Sequence, residues 1–192
     1  MALHESTFVT VSEVKSHIDA TSSTWDTIIE SLINEVTFYA MNYCGGRRFL
    51  APSADVTELY DVEDMQNKIF LQSWPIKSLT SVSYSSGTPY DNPTWTTYNA
   101  ATDFIQDVRK GILHFASLPN GYQNIKVVYK GGYDGSSNVP HDLKLAIIKE
   151  VAKEFNKRKS QGIQNESIGG GSIAWEKAEA LNALLDNYRR FI

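Results

Sequence analysis

The sequence predicts an α+β fold in which a bundle of helices carries a small antiparallel β region at its centre. Two observations predict it. Apolar residues recur with the 3.6-residue period of helices in the first 45 residues and again after Pro140. Between about residues 56 and 130 the pattern changes to short runs of strand-forming residues separated by Gly and Pro. The connections between these runs are too short for helical crossovers, which favours antiparallel pairing.

Capping signals predict where three helices begin. Thr10 and Glu13 have the spacing of a capping box, in which a hydroxyl and a carboxylate satisfy free amides at a helix start. Ser23 or Thr24 is the candidate cap of a second helix. Pro140 suits the start of a third, because its fixed φ is already helical. The sequence therefore predicts two N-terminal helices and a long one after Pro140.

The second helix has the clearest amphipathic pattern in the chain. Gly45 and Gly46 end it, because glycine accepts the left-handed backbone of a helix terminus. Nine apolar residues are predicted to lie on one side of this helix: Trp25, Ile28, Ile29, Leu32, Ile33, Val36, Tyr39, Ala40 and Tyr43.

The β region is predicted from six runs, at residues 57–62, 68–72, 79–84, 104–107, 112–115 and 125–129. Residues 85–102 are predicted to form an extended loop. The helix after Pro140 continues to about residue 159, which closes a core domain of residues 1–159. Glycines then mark residues 160–172 as a flexible linker, and residues 173–192 carry a C-terminal helix, helical to about Arg190.

Composition excludes several functional classes. The single cysteine, Cys44, cannot form an internal disulfide and makes a thiolate metal cluster improbable. The net charge of −4 argues against a protein that clamps DNA through its phosphates, since such domains are usually basic. The first twenty residues lack the pattern of a signal peptide, which predicts a protein made in the cytoplasm.

No constellation of residues predicts catalysis, a cofactor or a metal. The four histidines stand in unrelated contexts, without a nucleophile and an orienting partner. No glycine loop is followed by the lysine that phosphate binding requires. Asp61, Glu63 and Asp64 lack the spacing of a calcium loop, so a solvated turn is the preferred interpretation.

Two groups of surface residues are candidates for contacts. Phe38 and Met41 on the polar side of the second helix, with Ile148 on the third, suggest subunit contacts, although burial between two layers explains them almost as well. A basic helix end could face DNA, but stabilisation of the helix dipole is the favoured interpretation; its residues are Lys153, Lys157, Arg158 and Lys159.

Four segments resemble, in the same order, the head-tail connector proteins of tailed bacteriophages, also called adaptor or head completion proteins. The first is VTVSEVK at 9–15, followed by a long helix that ends in CGGRRF at 44–49. The others are WPIKSLTSV at 74–82, IKVVYKGGY at 125–133 and VPHDLKLAI at 139–147. Each segment is weak alone, and their shared order carries the resemblance, which spans residues 9 to about 159.

The resemblance implies a structural virion protein, not an enzyme, located at the neck between head and tail. It implies a ring, commonly of twelve subunits, seated beneath the portal and surrounding the DNA channel. The implied partners are the portal protein, a tail-side neck or stopper protein and other copies of the chain. Double-stranded DNA would only pass through, and no membrane is involved. The long insertion at 85–102 and the added C-terminal helix depart from shorter members of the family.

The C-terminal helix is predicted to dock on the portal, since a mobile linker bearing an amphipathic helix can order itself on a partner. The alternative is that its apolar residues pack back on their own domain. The residues predicted to make the portal contact are Trp175, Leu181, Leu184, Leu185, Tyr188 and Phe191.

Two other functions stay open. A tail-side completion or stopper subunit would bind the opposite neighbour, so the purified partner that the chain binds distinguishes it from an adaptor. A DNA-binding packaging factor would show salt-sensitive affinity for duplex DNA, which a net acidic chain disfavours.

Overall fold

The computed structural model describes residues 2–85, 94–158, 165–168, 171–174 and 179–190, and it divides the chain into two compact units. The helical unit comprises Met1–Gly46 and Val139–Ile192, and the β unit comprises Arg47–Asn138. The sequence predicted one core domain instead. The division escapes a sequence pattern because the helical unit is assembled from two segments with the β unit inserted between them.

Four α-helices are described in the helical unit: α1 at Val11–His17, α2 at Asp26–Tyr43, α3 at His141–Lys157 and α4 at Glu179–Leu185. The predicted capping box starts α1, because Thr10 Oγ1 accepts from the Glu13 amide at 3.3 Å and the Glu13 carboxylate accepts from the Thr10 amide at 2.8 Å. Pro140 occupies the N-cap of α3, as predicted.

The start of α2 differs from the prediction by one turn. A single 3₁₀ turn at Ser23–Trp25 precedes the helix, and its cap is Ser22, whose Oγ accepts from the Thr24 amide at 3.2 Å. The end of α2 is as predicted, since Gly45 and Gly46 both have positive φ, at 72° and 82°.

The core of the helical unit forms where α3 packs against α1, α2 and α4. The Trp25 ring meets the Phe155 ring edge-on, with 5.9 Å between centroids. The other buried apolar residues come from each helix in turn and include Val14, Ile29, Ile33, Val36, Ala40, Leu143, Ile147, Val151, Leu181 and Leu185.

The C-terminal region differs from its predicted secondary structure. Asn165–Ile168 and Gly171–Ala174 form a two-stranded antiparallel sheet within and just beyond the residues predicted as a linker. The described helix is Glu179–Leu185, followed by a 3₁₀ turn at Asp186–Tyr188, and does not begin at Ile173. The predicted linker residues 160–164 and 169–170 lie outside the described residues.

Seven strands are described in the β unit, and six of them match the predicted runs. They are β1 at Val56–Val62, β2 at Lys68–Phe70, β3 at Ile76–Ser85, β4 at Trp95–Thr97, β5 at Phe104–Asp107, β6 at Ile112–Phe115 and β7 at Gly121–Gly131. The strand β4 lies inside the predicted loop 85–102. It is a three-residue edge strand. Its pairing with β3 gives it a strand geometry that its composition does not predict.

The strands form two antiparallel sheets, a large one in the order β1-β7-β3-β4 and a small one in the order β2-β6-β5. One apolar cluster joins them, so the two sheets pack face to face as a small sandwich. Its buried residues are Val62, Ile69, Leu71, Ile76, Val82, Phe104, Leu113, Phe115, Ile125, Val127 and Tyr129.

The two ends of the β unit are hydrogen-bonded to each other. The Tyr133 amide donates to the Phe49 carbonyl at 2.6 Å, and the Ala51 amide donates to the Tyr133 carbonyl at 3.0 Å. Gly132 permits this approach, because a Cβ at that position would lie 2.6 Å from the Ala51 nitrogen. The β unit is therefore closed where the chain enters and leaves it.

These elements confirm the predicted α+β fold with a central antiparallel region. No helix among the described residues is both long and apolar enough to cross a membrane.

Candidate functional site

The acidic residues at the end of β1 and in the turn after it, Asp61 and Asp64, form hydrogen bonds within the β unit. Asp61 Oδ1 accepts from the Gln123 amide at 2.7 Å, and Asp64 accepts from the Asn120 side chain. In the part of the chain that the structure describes, no group of three or more His, Cys, Asp or Glu side chains could hold a metal ion. The carboxylates thus fasten the β1–β2 connection to the start of β7.

A partly buried polar cluster ties β1 to β7. The Glu58 carboxylate accepts from both tyrosine hydroxyls, Tyr60 and Tyr129, and Tyr129 is 2.7 Å away. Burial raises the pKa of both tyrosines, and the neighbouring Glu58 charge raises the two pKa values further. Both hydroxyls therefore stay protonated donors over the ordinary pH range, which suits a structural tie and not an acid–base catalyst.

A buried arginine forms the other polar feature of the β unit. The Arg47 guanidinium lies 3.8 Å above the Trp74 ring and 5.2 Å from the Phe49 ring centroid. Its Nη2 donates to the Trp74 carbonyl at 2.8 Å. The side chain is almost fully buried, so the cation is held by aromatic faces and a carbonyl. This arginine belongs to the CGGRRF segment, and its surroundings give it a packing role.

The C-terminal segment packs on the helical unit through two leucines and three tyrosines. Leu181 is buried and Leu185 is 0% exposed. These two predicted portal anchors fill the core of their own unit, as the alternative of packing back on the domain expects, while Leu184 and Tyr188 are half-buried. The predicted portal contacts Trp175 and Phe191 lie outside the described residues.

Three tyrosine hydroxyls hold this segment from its surface side. Tyr39 donates to Asn182 Oδ1, Tyr43 donates to Asp186 Oδ1, and Tyr188 donates to Asp142 Oδ1, each at 2.8 Å. The hydrogen bond to Asp186 raises the pKa of Tyr43. These contacts match the alternative in which the segment packs back on its own domain.

The predicted subunit-contact residues fall into three environments. Phe38 is 39% exposed and its ring lies 4.9 Å from the His4 ring. Ile148 is half-buried. Met41 is buried, in agreement with the alternative explanation that the helix is covered on this side as well. The buried side of α2 is wider than the apolar side predicted from the helical pattern, because it also includes Asn34 and Thr37.

The predicted DNA-channel cations are engaged within their own unit. Lys153 Nζ lies 3.1 Å from Glu150, and Lys157 Nζ lies 3.5 Å from Glu154. The Arg158 guanidinium stands 4.6 Å from the Trp25 ring and 3.7 Å from the Phe155 ring. Lys159 lies outside the described residues. Arg158 also donates to the Phe155 carbonyl in the last turn of α3, where a cation opposes the helix dipole.

The outer faces of the β sandwich carry exposed apolar side chains, and the sequence pattern did not predict these surfaces. Ile105 on β5 is 75% exposed, and Leu59 on β1 is 47% exposed. Met65, at the β1–β2 turn, is 98% exposed. The signal in the sequence was the presence of adjacent apolar residues, such as Ile112 and Leu113, which lie on opposite faces when they stand next to each other in a strand.

These surfaces belong to a chain whose family can be recognised. A family model described as head completion protein matches residues 7–191. The chain belongs to the head completion protein family. The match confirms the resemblance predicted from the four segments and extends it into the C-terminal region. This head completion protein is a structural component of a phage-type particle, which is the class that the resemblance implied.

Solved structures share the fold of this head completion protein at low sequence identity. A chain of "Neck of native GTA particle computed with C12 symmetry" aligns with a TM-score of 0.63 and 13% identity, over 100% of this chain and 94% of that one. A chain of "Virion of native gene transfer agent (GTA) particle" gives 0.65 and 14%, with the same coverage. A third, from "Neck of empty GTA particle computed with C6 symmetry", gives 0.62 and 13%, again over 100% and 94%. A search of curated proteins finds no match.

Proposed function

We propose that this head completion protein is the adaptor subunit of a tailed-bacteriophage neck. It forms a ring beneath the portal, links the capsid to the tail and surrounds the channel through which DNA passes. The observation that carries the proposal is the family match over residues 7–191. Chains of the same fold in neck particles computed with C12 and C6 symmetry support a ring, commonly of twelve copies.

The distribution of apolar surface supports repeated contacts between copies. A closed ring needs two different patches on each subunit, because each copy meets one neighbour with each patch. Phe38 on α2 and the two outer faces of the β sandwich offer apolar surface for such contacts. The half-buried Ile148 contributes to the same contacts at the edge of α3.

The charges suit a channel that DNA passes without binding. The net charge is −4, and the α3 lysines that could meet phosphates have carboxylate neighbours at 3.1 and 3.5 Å. Pairing lowers the phosphate affinity of a cation, because binding DNA would first require the ion pair to break. DNA is thus passing cargo, and the protein has no catalytic role.

The C-terminal segment is proposed as the portal-side contact, through the residues it leaves accessible. Leu184 and Tyr188 are half-buried, and Ala183 is exposed on the same helix. A pocket of about 290 Å³ runs beside them, lined by residues of α3 and α4 that include Leu145, Ala146 and Leu184. A portal side chain that enters this pocket would contact both helices.

The first experiment measures the mass of the purified protein by light scattering, alone and mixed with cognate portal rings. We expect a stoichiometric ring on the portal. A protein that ignores the portal but joins the tail-side neck protein would instead be a stopper or completion subunit.

A second experiment tests the portal contact with Leu184→Ser, using Ala183→Ser as the matched control on the exposed side of α4. We expect Leu184→Ser to weaken portal binding about tenfold, since one half-buried leucine contact is lost. Equal portal affinity of the two variants would remove the C-terminal segment from the interface.

A third measurement addresses DNA directly. We expect no duplex binding at physiological salt by fluorescence anisotropy. Affinity that falls steeply as salt rises would instead identify a DNA-binding packaging factor.

A further inference from the structure

Asn120 and Gly121 stand next to each other where β7 begins, and they are the one Asn-Gly pair in the sequence. Asn120 is exposed and lies just outside the strand, so water reaches its side chain. Asparagine is a chemically labile residue. A following glycine makes it more labile, because glycine has no side chain to shield its own amide nitrogen. The pair is therefore a candidate for spontaneous modification.

The fold requires glycine at position 121. A Cβ on this residue would lie 2.9 Å from the Cγ and Nδ2 atoms of Asn124, which is closer than real Cβ contacts. Asn124 is 3% exposed, and its Nδ2 donates to the Pro119 carbonyl at 2.6 Å. A larger residue at 121 would displace this buried side chain. The packing of Asn124 thus keeps an unshielded neighbour beside Asn120.

The backbone at Gly121 is paired at the very end of a broken ladder. Gly121 lies opposite Val62, and the register between β1 and β7 shifts next to this pair. Gln123, within the irregular stretch, has a φ of 47°, which is uncommon for a residue with a side chain. A single pair beyond such a break opens more readily than the ladder that it extends. Opening lets the Gly121 nitrogen approach the side chain of Asn120.

We propose that Asn120 is a site of spontaneous deamidation. The Gly121 amide nitrogen attacks Asn120 Cγ, and the new N–C bond closes a succinimide ring. The bond from Cγ to Nδ2 breaks, and this nitrogen leaves as ammonia with the proton that the Gly121 nitrogen loses. Water then opens the ring at one of its two carbonyls, which gives an aspartyl or an isoaspartyl residue. Water is the one reagent consumed, so the reaction needs no enzyme and no oxidant.

Deamidation reverses a contact that holds the turn between β1 and β2. The Asn120 side-chain amide donates to the Asp64 carboxylate. A carboxylate at position 120 has no proton to donate at neutral pH, so two negative charges would face each other. Glu63 and Asp61 already make this corner of the β unit acidic. The conversion therefore releases the turn from the start of β7.

A time course of the purified protein at mildly alkaline pH tests the chemistry, with peptide mapping by mass spectrometry as the readout. The same protein unfolded in guanidinium chloride gives the rate without protection. We expect Asn120 in the folded protein to convert within about tenfold of that rate. Asn99 and Asn124, which precede Ala100 and Ile125, should stay amides. An intact Asn120 in the folded protein, after an interval that converts it in the unfolded protein, would overturn the proposal.

Two variants test the consequence for the turn. Asn120→Asp should lower the thermal midpoint by about 1–2 °C at neutral pH, because an exposed hydrogen bond is replaced by a like-charge pair. Adding Asp64→Asn exchanges donor and acceptor, and we expect it to restore the midpoint. A double variant as unstable as the single one, or a single variant as stable as the unmodified protein, would refute the release of the turn. Both measurements use the isolated chain, so neither depends on the proposed ring.

Discussion

The helical unit and the β unit present their apolar residues in different ways. In the helical unit, Phe38 rests on His4, and Tyr39 donates a hydrogen bond to the C-terminal segment. In the β unit, Ile105 and Leu59 point outward from opposite sides of a sandwich. Apolar surface in the helical unit thus serves its own packing to a large extent, whereas the β unit offers surface for neighbours. The unit that looks less conspicuous in sequence therefore carries the stronger candidate interface.

The contrast between the two units is tested most sharply by two substitutions on the small sheet, one on its inner face and one on its outer face. Leu113→Ala on the inner face should lower the free energy of unfolding by about 2–5 kcal/mol, because it leaves a cavity in the core. Ile105→Ala on the outer face should change it by about 0.5 kcal/mol or less. Urea unfolding of each isolated variant measures both. A large loss from Ile105→Ala would mean that the outer face is already covered within the chain.

The buried arginine gives the next largest effect. Arg47→Lys should lower the free energy of unfolding by about 2 kcal/mol, because an ammonium lacks the plane that stacks on Trp74. Thermal unfolding of the variant measures this loss. The neighbouring Arg48→Lys is the matched control for the general effect of this substitution. Because lysine keeps the positive charge, an Arg47→Lys variant as stable as the unmodified protein would show that charge alone, not stacking, stabilises this corner.

The capping box of α1 should contribute less to the free energy of unfolding than the buried arginine does. Thr10→Ala removes the hydroxyl that accepts from the Glu13 amide, and we expect a loss of about 1 kcal/mol. Thr10→Ser keeps the acceptor and should recover most of it. Chemical denaturation of the two variants compares them, and equal stabilities would show that the helix start is held by packing alone.

The smallest expected effect is a dependence on acid. Burial of the Glu13 carboxyl raises its pKa, but hydrogen bonds from Lys144 and Thr10 lower it by more. The pKa of Glu13 therefore lies below its ordinary value of 4.5. The stability that the Glu13 carboxylate contributes is therefore complete above about pH 4.5, and it is lost as the pH falls through the lowered pKa. Glu13→Gln should lack this part of the acid slope, a difference of about 0.5 kcal/mol or less because the pair is mostly exposed. Unfolding curves between pH 6 and pH 3 would measure it, and identical slopes would contradict it.

Local signals predicted most of the elements. The Thr10 capping box, the glycines after Tyr43 and the position of Pro140 each depend on chemistry within a few residues, and all three are confirmed. The strands β5 and β6 match their predicted bounds, since both are short runs that begin with two apolar residues and lie between turns. The family followed from the order of four such segments.

Features set by distant partners could not be predicted in this way. The burial of Met41 depends on what packs against α2, and the pairing of β4 depends on β3. Leu181 and Leu185 carry the same helical pattern whether they cover their own unit or a partner. The outward position of Ile105 follows from register across three strands, which no local pattern contains.

The insertion of the β unit has a consequence for synthesis. The apolar side of α2 leaves the ribosome about 100 residues before α3, the helix that covers it. At the usual rate of translation that interval lasts roughly 5–20 seconds. Once it has emerged, the β unit can complete its own fold without the later helix, because the bonds that Tyr133 makes with Phe49 and Ala51 close it. A nascent chain that has emerged as far as Asn138 while α3 is still inside the ribosome would thus display a finished sandwich and an uncovered α2, a form that chaperones or proteases would recognise first.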